Sequence, residues 1–202
     1  MKKGVPASVI SARENIFDML KKTELIMAKK GKSEAMEEIR KEVLRIADKY
    51  ELEAASLSSL LPGALETIKT LRKMGLKIGV CTVNGEHSAK QILERFRIAE
   101  FFDTLISRNK VKKVKPDPEH CNAALEDLRV GAEETVIVGD SVADMQAAQQ
   151  IKARAVGLPT GISSREQLVS QGANYIITSI TDLPVLIENL NNGLDDFSKS
   201  VL

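Results

Sequence analysis

Three consecutive β-branched residues, Val136-Ile137-Val138, run directly into Gly139-Asp140-Ser141 and then into a helical pattern. A strand with apolar side chains on both faces has to be covered on both, and a parallel sheet wrapped by helices does this. Gly139 frees the turn, Ser141 is placed to cap the next helix, and Asp140 falls at the strand's carboxyl end. Asp144 falls in the first turn of that helix, so both carboxylates can face the crevice where open α/β sheets bind ligands. Two carboxylates there suit a hard cation such as Mg²⁺.

The rest of the chain agrees with such a sheet. After Leu61, Pro62 and Gly63 start a helix through Met74, which Gly75 ends. The pattern then predicts a strand over Leu76–Cys81, a helix from Glu86 to Phe96 and a short strand at Thr104–Ile106. A helix follows Pro118; strands at Thr135–Val138, Ala153–Val156 and Tyr175–Ile177 alternate with helices through Gln150, over Ser164–Ser170 and over Leu183–Leu190. Strict alternation with short loops implies a doubly wound, mostly parallel, Rossmann-like sheet. Ahead of it, Arg13 to Tyr50 is helical throughout, with Ile16, Met19, Leu20, Thr23 and Met27 on one face and Met36, Ile39, Val43 and Ile46 on another. Gly31 closes the first of these helices, and Ser33 opens the second. The resulting division is a helical cap over 1–58, an α/β core over 59–193 and a tail over 194–202.

Composition removes several classes of function. A net charge of +1 gives no bulk attraction to nucleic acid or anionic lipid. Aromatic residues make up 3% and tryptophan is absent, which disfavours stacking on single-stranded nucleic acid. No apolar run approaches membrane-spanning length. The basic start, Met1-Lys2-Lys3, has no continuous apolar segment after it, and Cys81 and Cys121 have no repeated spacing. These features predict a cytoplasmic protein with reduced thiols.

Two more places carry chemistry at predicted strand ends. Val80-Cys81-Thr82-Val83-Asn84-Gly85 ends a strand in a hydroxyl, then an amide and a glycine before a helix, presenting donors to an anion. Taken alone, Thr82 reads as a strand-end residue and Asn84 as a turn or N-cap residue. In Lys113-Val114-Lys115-Pro116-Asp117-Pro118 the prolines stiffen the segment, so that Lys115 is presented by a restricted backbone. A fixed ammonium can neutralise a phosphoryl group and the charge that develops on it. In isolation, Lys115 is also an ordinary surface lysine in a basic loop.

Taken in order, Thr82, Lys115 before proline, and the Gly139-Asp140…Asp144 segment resemble the haloacid dehalogenase-like hydrolase superfamily, in its phosphoglycolate phosphatase-like branch with a helical cap. Leu61-Pro62-Gly63 resembles the segment joining cap to core, and Val156–Gly161 and Gly172–Ile177 resemble that branch's closing segments. The resemblance implies a Mg²⁺-dependent phosphomonoester hydrolase acting on a small phosphorylated metabolite through an aspartyl-phosphate. It implies that Thr82, Asn84 and Lys115 bind the phosphoryl group, Thr82 and Lys115 also serving catalysis. Asp140 and Asp144 would hold Mg²⁺ directly or through water.

The family's first motif, an apolar strand running into Asp-x-Asp-Gly-Thr, supplies the nucleophile. Its only candidate match is Asp18, where Leu20 stands for the acid/base and Lys21-Lys22 for Gly-Thr, and where Ser11–Asn15 are polar. Asp18 is therefore expected on a cap helix, with the first core strand lying upstream of Met1. In the family that strand is central, so its loss would leave edges unpaired beside the strands ending at Thr82 and Asp140 and favour aggregation unless Val9-Ile10 or a partner fills the gap. The other reading is a non-catalytic phosphate- or metabolite-binding module or an inactive fragment. A dinucleotide-binding domain fits less well, because no G-x-G-x-x-G follows a predicted strand.

Overall fold

The computed structural model describes residues 16–193. Val9-Ile10, the predicted helix start at Arg13 and the tail from Leu194 lie outside the described residues. Two compact units divide between Glu53 and Ala54, inside the second helix.

The first unit is built on α1 (Ile16–Lys29) and α2 (Ser33–Leu57). Leu20, Met27, Met36 and Ile39 are buried, with Ala35, Val43 and Leu44 packed against them. Ile46, expected on the apolar face, is 43% exposed. Gly31, at a φ of 65°, ends α1 in the left-handed conformation, and the Lys32 N–H returns to the Met27 carbonyl at 3.0 Å. Asp18, the match to the nucleophile, is a helical residue of α1, as its neighbours' spacing predicts.

The second unit alternates helix and strand: α3 (Ala64–Lys73), β1 (Gly79–Cys81), α4 (Glu86–Arg95), β2 (Thr104–Ile106), α5 (Pro118–Leu128), β3 (Val136–Gly139), α6 (Val142–Ile151), β4 (Arg154–Gly157), α7 (Arg165–Ser170), β5 (Tyr175–Ile176) and α8 (Leu183–Asn191). Every strand pair is parallel. The strands form two ladders, β1–β2 and β3–β4–β5. Among the described residues β1 pairs only with β2 and β3 only with β4, so each has an edge with no strand beside it.

The β-branched run explains itself in the packing. Val136, Val138, Val156 and Tyr175 join Leu71 of α3 and Leu183 and Leu186 of α8 on one face. Ile137, Ala155 and Ile176 alternate to the other face, against Met145 and Ala148 of α6 and Leu168 of α7. This is the doubly wound arrangement.

The expected Leu76–Cys81 strand shortens to three residues for a specific reason. The Ile78 N–H donates to the Asp103 carboxylate at 2.7 Å, and the same oxygen accepts from Arg72 at 2.6 Å, so a side chain occupies what a strand would have paired.

Leu168 is fully buried. Leu168→Ala should lower the stability of this unit by about 2–4 kcal/mol. A urea titration followed at Tyr175 measures it, because the other tyrosine, Tyr50, belongs to the first unit and is exposed.

Candidate phosphate site at the carboxyl ends of the strands

Parallel strands deliver their following loops to one edge, and the predicted site residues stand there. Thr82 directly follows β1, and its N–H extends the ladder to the Ile106 carbonyl at 2.9 Å. Its Oγ1 accepts the Asn84 N–H at 3.2 Å, which leaves the hydroxyl proton free to donate. The loop is tied down by residues just past β2. Arg108 donates its backbone N–H to the Asn84 carbonyl at 3.3 Å and its guanidinium to the Val83 carbonyl at 3.0 Å, and Asn109 accepts the Glu86 N–H at 2.9 Å. Arg108 is buried although it is charged.

Lys115 enters between the two ladders. Its ammonium donates to the Cys81 carbonyl at 2.8 Å and to Asp144 Oδ1 at 2.5 Å, with its side chain 13% exposed. Burial pulls the lysine's pKa down, but the Asp144 carboxylate and the Cys81 thiol outweigh it and leave it raised.

Asp144 has both oxygens engaged. Oδ2 accepts from the Ser141 N–H at 3.1 Å and the Ser141 hydroxyl at 2.6 Å, closing the capping box that starts α6. Gly139 is required beside it, because a Cβ there would overlap the Asp144 carboxyl group. Asp140 differs: it is exposed and carries no hydrogen bond or ion pair to a described residue. It packs against Gly161 in the loop after β4, where a Cβ would overlap its carboxylate.

Thr82, Asn84, Lys115 and Asp144 are thus linked through short contacts at one edge, and Asp140 stands apart from that network. Among the described residues no group of three His, Cys, Asp or Glu side chains forms a metal cluster. Mg²⁺ keeps several waters and takes one or two carboxylates, so Asp140 is open to direct contact with such an ion while Asp144, with both oxygens engaged, is open to it only through water.

His120, not singled out in the sequence, is fully buried in the first turn of α5. Its Nδ1 accepts the Lys115 backbone N–H at 3.3 Å, and its Nε2 lies 3.2 Å from the Ile106 carbonyl. Burial first, and the charge of Lys115 second, hold its pKa below the usual imidazole range. Cys81 and Cys121 are free thiols, and the Cys81 thiol donates to the His120 carbonyl at 3.5 Å.

The haloacid dehalogenase-like hydrolase family model matches residues 11–158. The chain is similar to the pyrophosphatase PpaX of Bacillus mycoides, at 30% identity over 126 residues, 62% of this chain and 59% of that protein. It therefore spans less than two thirds of that relative's length. Among solved structures it is similar to a hydrolase from Pseudomonas syringae, at 27% identity, covering 86% of this chain and 76% of that one with a TM-score of 0.65. A predicted phosphatase from Clostridium acetobutylicum is 28% identical, covering 63% of this chain and 59% of that one, with a TM-score of 0.58. No helix among the described residues is long and apolar enough to cross a membrane.

Asp144→Asn leaves a buried ammonium without its counter-charge and should destabilise the protein by about 3 kcal/mol in denaturant titration. His120 gives a pH dependence of known sign. Its folded pKa is depressed, so the unfolded chain takes the proton first, and stability falls as pH drops below about 6.5. The urea midpoint of His120→Gln should fall less steeply over that window than that of the wild type.

Proposed function

Because the chain belongs to the haloacid dehalogenase-like hydrolase family, we propose that it binds the phosphoryl group of a small phosphorylated metabolite and serves its Mg²⁺-dependent hydrolysis. The observation that carries this reading is the Lys115 ammonium, largely buried and held at once by the Cys81 carbonyl beside Thr82 and by Asp144. A structural lysine has no need of a hydroxyl-bearing strand end next to it, and a phosphoryl group does.

In this reading Thr82 donates its free hydroxyl proton to a phosphoryl oxygen. Lys115 has three N–H donors, of which two are engaged, and the third is available to the anion. Asn84 contributes its side-chain amide, since its backbone N–H is committed to Thr82. Attack by a carboxylate on phosphorus, giving an aspartyl-phosphate and the freed alcohol, followed by attack of water on that intermediate, is the chemistry this arrangement suits. Among the named site residues Asp144 is paired with Lys115 and Asp140 is read as the metal ligand, so neither is assigned as the attacking carboxylate. The nucleophile would come from a strand seated beside β1 and β3.

Mg²⁺ would reach Asp140 directly and Asp144 only through water, because both Asp144 oxygens are already taken. A divalent ion there supplies charge neutralisation to the anion. The helices of the first unit would serve as the cap. The pairing of Asp144 with Lys115, and the reading of Asp140 as the metal ligand, leave no described carboxylate at this edge assigned to attack, which favours, as a second reading, a module that binds phosphate without hydrolysing it.

Titration calorimetry with inorganic phosphate tests the shared part of both readings. Thr82→Ala and Lys115→Ala should each weaken phosphate binding about tenfold or more, the cost of one or two charge-assisted hydrogen bonds. Asp140→Asn should abolish Mg²⁺ binding while phosphate binding persists. Phosphate affinity unchanged in both Thr82→Ala and Lys115→Ala would refute the site.

A further inference from the structure

We propose that His120 is the positioning residue of Lys115: its Nδ1 holds the Lys115 backbone N–H and so fixes the Cα from which the ammonium is launched. The proposal rests on the reading of Lys115 as a phosphate ligand and adds what places it there.

The two partners of the ring allow one tautomer. The Ile106 carbonyl can only accept, so Nε2 carries the proton, and the Lys115 N–H can only donate, so Nδ1 is bare. The ring is fully buried, which leaves no water to replace either bond. It joins three elements at one point: the end of β2 through Ile106, α5 on which it sits, and the Lys115 segment.

The flanks of that segment have other anchors. Glu119 accepts the Lys112 N–H at 2.8 Å, and Gln150 donates to the Pro116 carbonyl at 2.7 Å. The amide of Lys115 itself is held by His120. The charged groups facing the ring are Lys115 on its loop, Asp144 on α6 and Glu119 on α5, while the Cys81 thiol at the end of β1 meets the His120 backbone carbonyl. A second proton on the ring would turn Nδ1 into a donor facing another donor, and the Lys115 backbone would be released.

Two substitutions in the full chain separate positioning from packing. In His120→Asn the amide oxygen can stand where Nδ1 stood and keep the Lys115 N–H. In His120→Gln the amide nitrogen can reach the Ile106 carbonyl, and the acceptor for Lys115 is lost. The Asn variant should keep slow hydrogen exchange at the Lys115 amide and inorganic phosphate affinity within about threefold of the wild type. The Gln variant should exchange that amide faster and bind phosphate about tenfold more weakly. Equal effects in the two variants overturn the proposal.

Should a variant not fold, the wild-type protein still decides. It has two histidines, so a long-range ¹H–¹⁵N spectrum resolves the His120 ring, with His87→Gln assigning the other. A neutral ring protonated at Nε2 at pH 7 supports the proposal, and an Nδ1–H or charged ring overturns it. If the wild type binds no phosphate, the reading of the site fails, while exchange and tautomer continue to decide the role of His120.

Discussion

The pair between Lys115 and Asp144 is the constraint on which the rest of this edge depends. A lysine this far from water costs several kcal/mol unless an anion compensates it. Asp144 compensates it, and can do so because it is fixed at the start of α6 by Ser141. That position lies so close to the strand end that residue 139 must be glycine. The sequence Gly139-Asp140-Ser141…Asp144 is thus one mechanical unit: glycine for room, serine for the cap, and the second carboxylate for the ammonium.

The same pair connects ladders that share no backbone hydrogen bonds. Lys115 lies after β2 in the chain, yet its amine reaches back to the last carbonyl of β1 and across to the helix after β3. With no described strand between β1 and β3, this ammonium is a polar link across the opening at its carboxyl end. A strand entering there would place its terminal residue next to Lys115. In the proposed reading, the phosphate cradle and the place for an attacking group would come from the same geometric feature.

Much of this was legible in the residues, and what was not has a physical reason. Val136-Ile137-Val138 announces a strand packed on both faces, each of the three half-buried against core residues on its side, and Ser141 announces its cap because the motif is local. The separate fates of Asp140 and Asp144 were not legible. Spacing places two acids near one crevice, but only the position of Lys115, 29 residues away from Asp144, determines which of them is paired. Arg108, Asn109 and His120 were equally hidden. Their partners are backbone groups on other elements, and a carbonyl or an N–H leaves no trace in residue identity. A buried histidine two residues after Pro118 looks like any polar helix position until β2 is folded against it.

The charge arithmetic of the edge explains why the two carboxylates must differ. Lys115 and Asp144 cancel, so an incoming phosphoryl anion meets hydrogen-bond donors and no large net charge from that pair. Asp140, exposed and without an ion pair to a described residue, is then the uncompensated group, and its sign opposes a phosphate dianion. If the proposed site takes both, an anion and a cation would be coupled there: whatever neutralises Asp140 would favour phosphate, and bound phosphate would favour a cation beside Asp140. Reciprocity of linked binding makes the two effects equal in free energy. A site built with both carboxylates paired would bind phosphate with no call for a metal, and one with both free would repel phosphate until a metal arrived. With Asp144 committed and Asp140 open, the proposed site would draw its affinity for the anion from Thr82 and Lys115, and control over that affinity from Asp140.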